Sequence, residues 1–233
     1  MVKQTKKTER GNVLFLILIA VALFAALSYA VTQSSRSGGS DASTETAAVN
    51  SASLTQYPTG IRTAMLRMSI AGIAVSNIEF NEPADFADCT TPSGGPTAGQ
   101  CIFHPNGGGA VHQLAPSSAS DTGAALPWYF NDNYAITDVG TTADDFVAFL
   151  PGVTEGLCSE LNRRYSISSI PTIADVNAAS VRETIGQGGS YIAPGGGTSF
   201  TGTWPAALDG QPYGCFYDST ATEWIYYHTI VEN

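Results

Sequence analysis

The 233 residues carry 20 acidic against 10 basic side chains, a formal net charge of −10, and the imbalance is uneven along the chain. Lys3, Lys6, Lys7 and Arg10 against Glu9 give residues 1–11 a net charge of +3, so the rest of the chain, which has no lysine, carries −13. A body of that sign repels nucleic acid and anionic membrane surfaces, and its length suffices for one domain, or a domain with a subdomain, around a sizeable core.

Residues 1–11, MVKQTKKTERG, form a short basic leader ending in Gly11. Val13 to Val31 follow as VLFLILIAVALFAALSYAV, without charge, Gly or Pro. At about 1.5 Å per residue these nineteen positions span roughly 28 Å as a helix, close to the thickness of a bilayer's hydrocarbon core. The basic flank stays on the cytoplasmic side, which places the rest of the chain across the membrane. Three processing fates remain open. Signal peptidase could cut after Ala30, where Ser28-Tyr29-Ala30 presents small residues at −3 and −1. The helix could stay uncut as an anchor, or a dedicated peptidase could cut after Gly11 and leave the apolar helix at the mature N-terminus.

Residues 36–56 are polar and small and are expected as a stalk or linker. Ser37-Gly38-Gly39-Ser40 should fray or break a helix there. Helical spacing returns over residues 59–76. Ile61, Met65, Met68 and Gly72 share one face, and Leu54 and Tyr57 extend it beyond a kink at Pro58. Residues 77–127 are the least regular. Ile78-Glu79-Phe80 is a short strand candidate, and Cys101–His104 with Ala110–Gln113 is expected as a small hairpin around Asn106-Gly107.

Residues 128–150 are expected as a strand, a turn and a second strand or short helix. Residues 154–164 form a helix with Leu157, Leu161 and Arg164 on one side and a Glu160–Arg164 pair at i, i+4. Ile167 to Ile173 is expected as an edge strand broken by Pro171, Asp175 to Ile185 as a short helix, and Gly186 to Gly202 as a Gly-rich loop. The strongest β signal comes last: Gly214 to Tyr217, a turn at Asp218-Ser219-Thr220, then Glu223 to Val231. On that second strand Trp224, Tyr226, His228 and Ile230 share one face, and Ile225, Tyr227, Thr229 and Val231 the other.

Cys89, Cys101, Cys158 and Cys215 allow three pairings. Outside the cytoplasm the parsimonious pairs, on proximity, are Cys89–Cys101 and Cys158–Cys215. The rival reading, a zinc site from Cys89, Cys101, His104 and His112, has the spacing of no compact zinc module. Asp132, Asp138, Asp144 and Asp145 are candidate calcium ligands, but they lack the D-x-D-x-D-G loop and read as turn carboxylates. No G-x-S-x-G, H-E-x-x-H, Walker or G-x-G-x-x-G pattern occurs, and His228 reads as a sheet residue. Neither catalysis, a cofactor nor a metal is expected.

KKTERG followed by NVLFLILIAVALFAALSYAV resembles the start of a type IV prepilin or type II secretion pseudopilin. That resemblance implies removal of the leader between Gly11 and Asn12 by a prepilin peptidase and methylation of the new N-terminus. Asn12 stands where the family has Phe, and Leu16 stands where its mature fifth residue is Glu, thought to pair with a neighbour's N-terminal amine. Lacking that Glu, the chain is more similar to minor, tip-type members. The implied fold is α+β, loop-rich and disulfide-bonded, with a long N-terminal hydrophobic helix packed by its C-terminal half on an antiparallel sheet. The implied division is leader 1–11, transmembrane and assembly helix 12–35, stalk or linker 36–56, and an extracytoplasmic globular domain 57–233. The implied partners are other pilin or pseudopilin subunits, met through residues 12–35, the inner membrane and the peptidase, with no nucleic acid. Its implied location is the inner membrane, single-pass, or a filament assembled from it. The alternative is a membrane-anchored or secreted extracytoplasmic binding domain with no filament role.

Overall fold

The computed structural model describes residues 10–87, 89, 97–174, 176, 181–186 and 204–232, with backbone alone at 10–13 and 34–44. The chain divides into two compact units, Met1–Glu45 and Thr46–Asn233. Helix α1 is Arg10–Ile70. Its backbone stays helical through Ser37-Gly38-Gly39-Ser40, where a break was expected. Two glycines cost about 1 kcal/mol each relative to alanine, less than the price of renucleating a helix beyond a break.

The second unit holds a five-stranded sheet in the order β1-β2-β5-β4-β3. Its strands are β1 (Tyr129–Tyr134), β2 (Asp145–Val153), β3 (Thr172–Ile173), β4 (Tyr213–Asp218) and β5 (Glu223–Val231), with helix α2 (Glu155–Arg164) between β2 and β3. The sheet is mixed rather than antiparallel throughout. The pairs β1–β2, β2–β5 and β4–β5 are antiparallel, but β3 runs parallel to β4, pairing Thr172 with Tyr217. A parallel neighbour needs a long crossover, and the connection 174–212 is long enough to supply it.

Strands β2 and β5 are covered on both faces. Phe146, Ala148 and Leu150 of β2 join Tyr226 and Ile230 of β5 in one core cluster, with Leu54, Tyr57, Ile61, Ala64, Met65 and Met68 of α1 and Leu157, Cys158 and Leu161 of α2. Val147 and Phe149 join Ile225 and Tyr227 in the other, with Ile173 of β3 and Ile136, Val139, Ile167 and Leu208 from the connecting segments. The period-2 pattern of β5 thus divides its aromatic residues between a helix-covered face and a loop-covered face.

Helix α1 stops where the sequence changes to glycine. Gly72 takes φ +95°. The Gly72 N–H donates to Ser69 O and the Ile73 N–H to Met68 O, both at 3.0 Å, the paired closure of a Schellman motif. The Asn106-Gly107 turn does not join a hairpin. Instead Glu79 bridges Cys101 in parallel, with Glu79 N–H donating to Gln100 O and Ile102 N–H to Glu79 O. Glu79 therefore takes the Ile102 N–H that a hairpin partner would use, while the Ile102 carbonyl accepts from the Ala110 N–H at 3.0 Å. The Phe80 N–H then donates to Ile185 O, and the Ile185 N–H to Phe130 O, so residue 185 links the 78–80 segment to β1.

Candidate functional site: an apolar helix segment and a disulfide-tied sheet

The apolar stretch of α1 buries nothing within its own chain. A 20-residue window, Leu14–Gln33, is long and apolar enough to cross a membrane. Leu16, Leu23 and Phe24 are 59%, 64% and 77% exposed. Apolar side chains occur all around this helix rather than along one stripe. Gly11 and Asn12 lie within the helical backbone of α1, and residues 1–9 fall outside the described residues.

Residues 54–68 of the same helix use a different arrangement. Tyr57 packs its ring 5.4 Å from Trp128 and 6.3 Å from Phe130, and its hydroxyl accepts from the Gln113 N–H at 3.4 Å. Burial pushes that phenol up to about 12. On the outer side, the hydroxyls of Thr59 and Thr63 donate back to the carbonyls of Thr55 and Thr59. Beneath the helix lies a group of polar aromatic rings. His228 Nδ1 is 2.8 Å from the Tyr226 hydroxyl, and the His228 ring is 5.2 Å from that of Tyr213, which in turn lies 4.0 Å from Tyr165. Burial, with the Arg62 charge second, pushes His228 down to about 4, so the ring is neutral at pH 7.

Both disulfides join the pairs read from proximity. Cys89–Cys101 has a Cα separation of 6.1 Å and Cys158–Cys215 one of 5.3 Å. The second ties α2 to β4 next to an amide clamp that nothing in the sequence announces. Asn162 Nδ2 donates to Cys215 O at 2.8 Å and to Ser169 O at 3.1 Å, while Asn162 Oδ1 accepts from the Cys215 N–H at 2.8 Å. Helix α2 begins at an N-cap, Thr154, whose hydroxyl accepts from the Leu157 N–H. The expected Glu160–Arg164 pair forms at 3.1 Å, and Arg163 adds a second contact at 2.8 Å. The hydrogen bond from Arg163, outweighing desolvation, holds the Glu160 carboxyl below its ordinary value. Arg164 also donates to Ala48 O of α1 at 2.9 Å.

The cysteines of the zinc reading are consumed in a disulfide. His104 and His112 instead lie edge-on to Phe86 and Phe103, and His112 is 3.5 Å from Glu82. The aspartates of the calcium reading lie on β1 (Asp132), in the turn after it (Asp138) and, as neighbours in sequence, at the start of β2 (Asp144 and Asp145). Asp145 accepts from the Ile136 N–H at 2.9 Å, Asp138 sits in a turn at φ 60°, and Asp132 is buried on β1. Among the described residues no group of three or more His, Cys, Asp or Glu side chains is placed to hold a metal ion. Of the expected helix 175–185, residues 175 and 177–180 lie outside the described residues, as does the Gly-rich loop beyond Gly186. In comparison with known proteins, no family model, curated protein or solved structure matches this chain.

Proposed function

We propose that the chain is a structural subunit: a minor, tip-type pilin or pseudopilin of a type IV pilus or type II secretion-like filament. One observation carries the reading. A single helix presents an all-round apolar surface over Leu14–Val31 and, further along, supplies Leu54–Met68 to the core of a disulfide-bonded α+β domain. The first stretch is suited to lipid before assembly and to neighbouring helices after it, because helices in lipid associate by close packing and interhelical polar contacts. The N-terminal sequence supports the same reading: the basic leader ends in Gly11, and Asn12 becomes the first residue of the mature subunit. Residues 12–35 meet the other subunits, and the domain lies outside the cytoplasm.

Leu16 offers no carboxylate to a neighbour's N-terminal amine, so the subunit enters at low copy number or at the tip. The test is immunoblotting of sheared, purified filaments against a standard of the purified chain. The proposal expects it at a small fraction of the major subunit. Absence from filaments, with the domain in the exported soluble fraction, favours a binding domain without a filament role. A dominant band contradicts the tip assignment.

A further inference from the structure

We propose that His228 is an acid-operated latch on the docked part of α1: protonating the buried imidazole frees Leu54–Met68 from the sheet while the sheet itself stays folded. The geometry supports this in three ways. First, His228 is 8% exposed on the helix-covered face of β5, and its Nδ1 is engaged by the Tyr226 hydroxyl, a group that can donate to a neutral ring. An imidazolium carries a proton on Nδ1 and can only donate there, so the pair is retained only with the phenol oxygen as acceptor.

Second, among the described residues packed around the ring, none supplies a counter-charge. From β4 comes Tyr213, backed by Tyr165 from the residue after α2, and from β5 itself Tyr226. The β2 partner is Ala148. Between Thr46 and Ile70 α1 has Arg62 and Arg67 and no carboxylate. Asp218 and Glu223 pair with each other at the opposite end of the β4–β5 ladder from His228, which pairs with Tyr213. Glu160 is engaged by Arg163 and Arg164. An imidazolium here is therefore buried without compensation and opposed by Arg62, a like charge that the ring feels from α1.

Third, the attachments on either side differ. Strand β5 is held by its ladders to β2 and β4. The Leu54–Met68 stretch rests on side-chain packing, with polar contacts among the described residues from Tyr57 to Gln113, Arg67 Nη2 to Gly108 O and Thr55 to the Tyr165 hydroxyl. A charge arising at that interface is relieved at least cost by lifting the helix.

Because the folded ring is held near pH 4 and the free ring titrates near 6.5, the docked state is at full strength above 6.5 and loses strength as pH falls from there through about 4. The experiment is hydrogen exchange with mass spectrometry on the full chain in phospholipid nanodiscs, stepped from pH 7 to pH 3.5 and corrected for intrinsic rates. The expected result is loss of protection in peptides covering Leu54–Met68 while β2 and β5 peptides retain theirs. In His228→Gln, which cannot be protonated, that loss disappears from this range or moves to lower pH. Arg62→Gln, at an exposed position that is expected to fold normally, moves the wild-type midpoint to lower pH. Simultaneous loss in α1, β2 and β5, no loss at all, or identical midpoints in wild type and Arg62→Gln overturns the latch.

Discussion

Two stretches of one helix, Leu14–Val31 and Leu54–Met68, are both apolar and both helical, yet they rest on different physics. In the first, exposed apolar residues follow one another without a polar face. In the second, the apolar residues fall at 54, 57, 61, 64, 65 and 68, and the outer side carries Thr59, Arg62, Thr63 and Arg67. Spacing alone separates them: an all-round apolar helix needs an apolar solvent, whereas a striped helix needs only one partner face. The striped part finds that face in its own sheet. The other part leaves its apolar residues exposed.

This contrast can be broken by substitutions that should injure one stretch and spare the other. The largest expected effect is on the domain. Replacing Cys158 and Cys215 together by Ser removes the closure of a loop of separation 57 and costs up to about 4 kcal/mol by chain entropy. The Cys89–Cys101 loop, of separation 12, gives about 3 kcal/mol by the same arithmetic. Thermal melts of the two double mutants should rank in that order, with membrane association unchanged in both.

Next comes Met65→Ala, 1% exposed under the docked stretch, expected to cost about 3 kcal/mol in a denaturant melt and again to leave insertion intact. Phe24→Lys is its mirror image. It adds about 3 kcal/mol to insertion near the middle of the apolar stretch, measured by carbonate extraction of membranes, and leaves the melting temperature of the domain where it was. A domain destabilised by Phe24→Lys, or a chain released from membranes by Met65→Ala, would break the division of labour. Thr154→Ala should cost about 1 kcal/mol by removing the α2 cap, read from the denaturant midpoint.

Glu160→Gln is expected to have the smallest effect at neutral pH, and its signature lies in acid. The carboxyl is held below its ordinary value of 4.5, so its contribution is complete above that value and is lost as pH falls through the folded one. The variant should lack that acid-dependent component in a pH series of melts.

Local pattern makes much of this fold legible in the sequence. The alternation from Trp224 to Ile230 places each aromatic residue on its correct face, and Leu157 and Leu161 mark the buried side of α2. Cys158 and Cys215 could be paired by proximity once one was put on a helix and the other at the start of a hairpin. What was not legible depended on partners distant in sequence. Two residues, Thr172 and Ile173, carry no signal for direction, so the parallel pairing with β4 is set by the crossover. Asn106-Gly107 looks like a hairpin turn, but Glu79 takes the Ile102 N–H. Asn162 reads as an ordinary helical polar residue until Cys215 arrives to use both ends of its amide. The membrane-suited stretch was visible from composition. His228 could be placed on a face, but the Tyr213 ring against it and the Arg62 charge it feels come from separate parts of the chain.

The proposal that the mature chain keeps both the apolar stretch and the docked stretch is tested most directly by the intact mass of the mature protein, extracted from the membranes of its own host. The account predicts a chain beginning at Asn12, with or without one added methyl group. A chain beginning at Val31, cut after Ala30 and stripped of the apolar stretch, would contradict it.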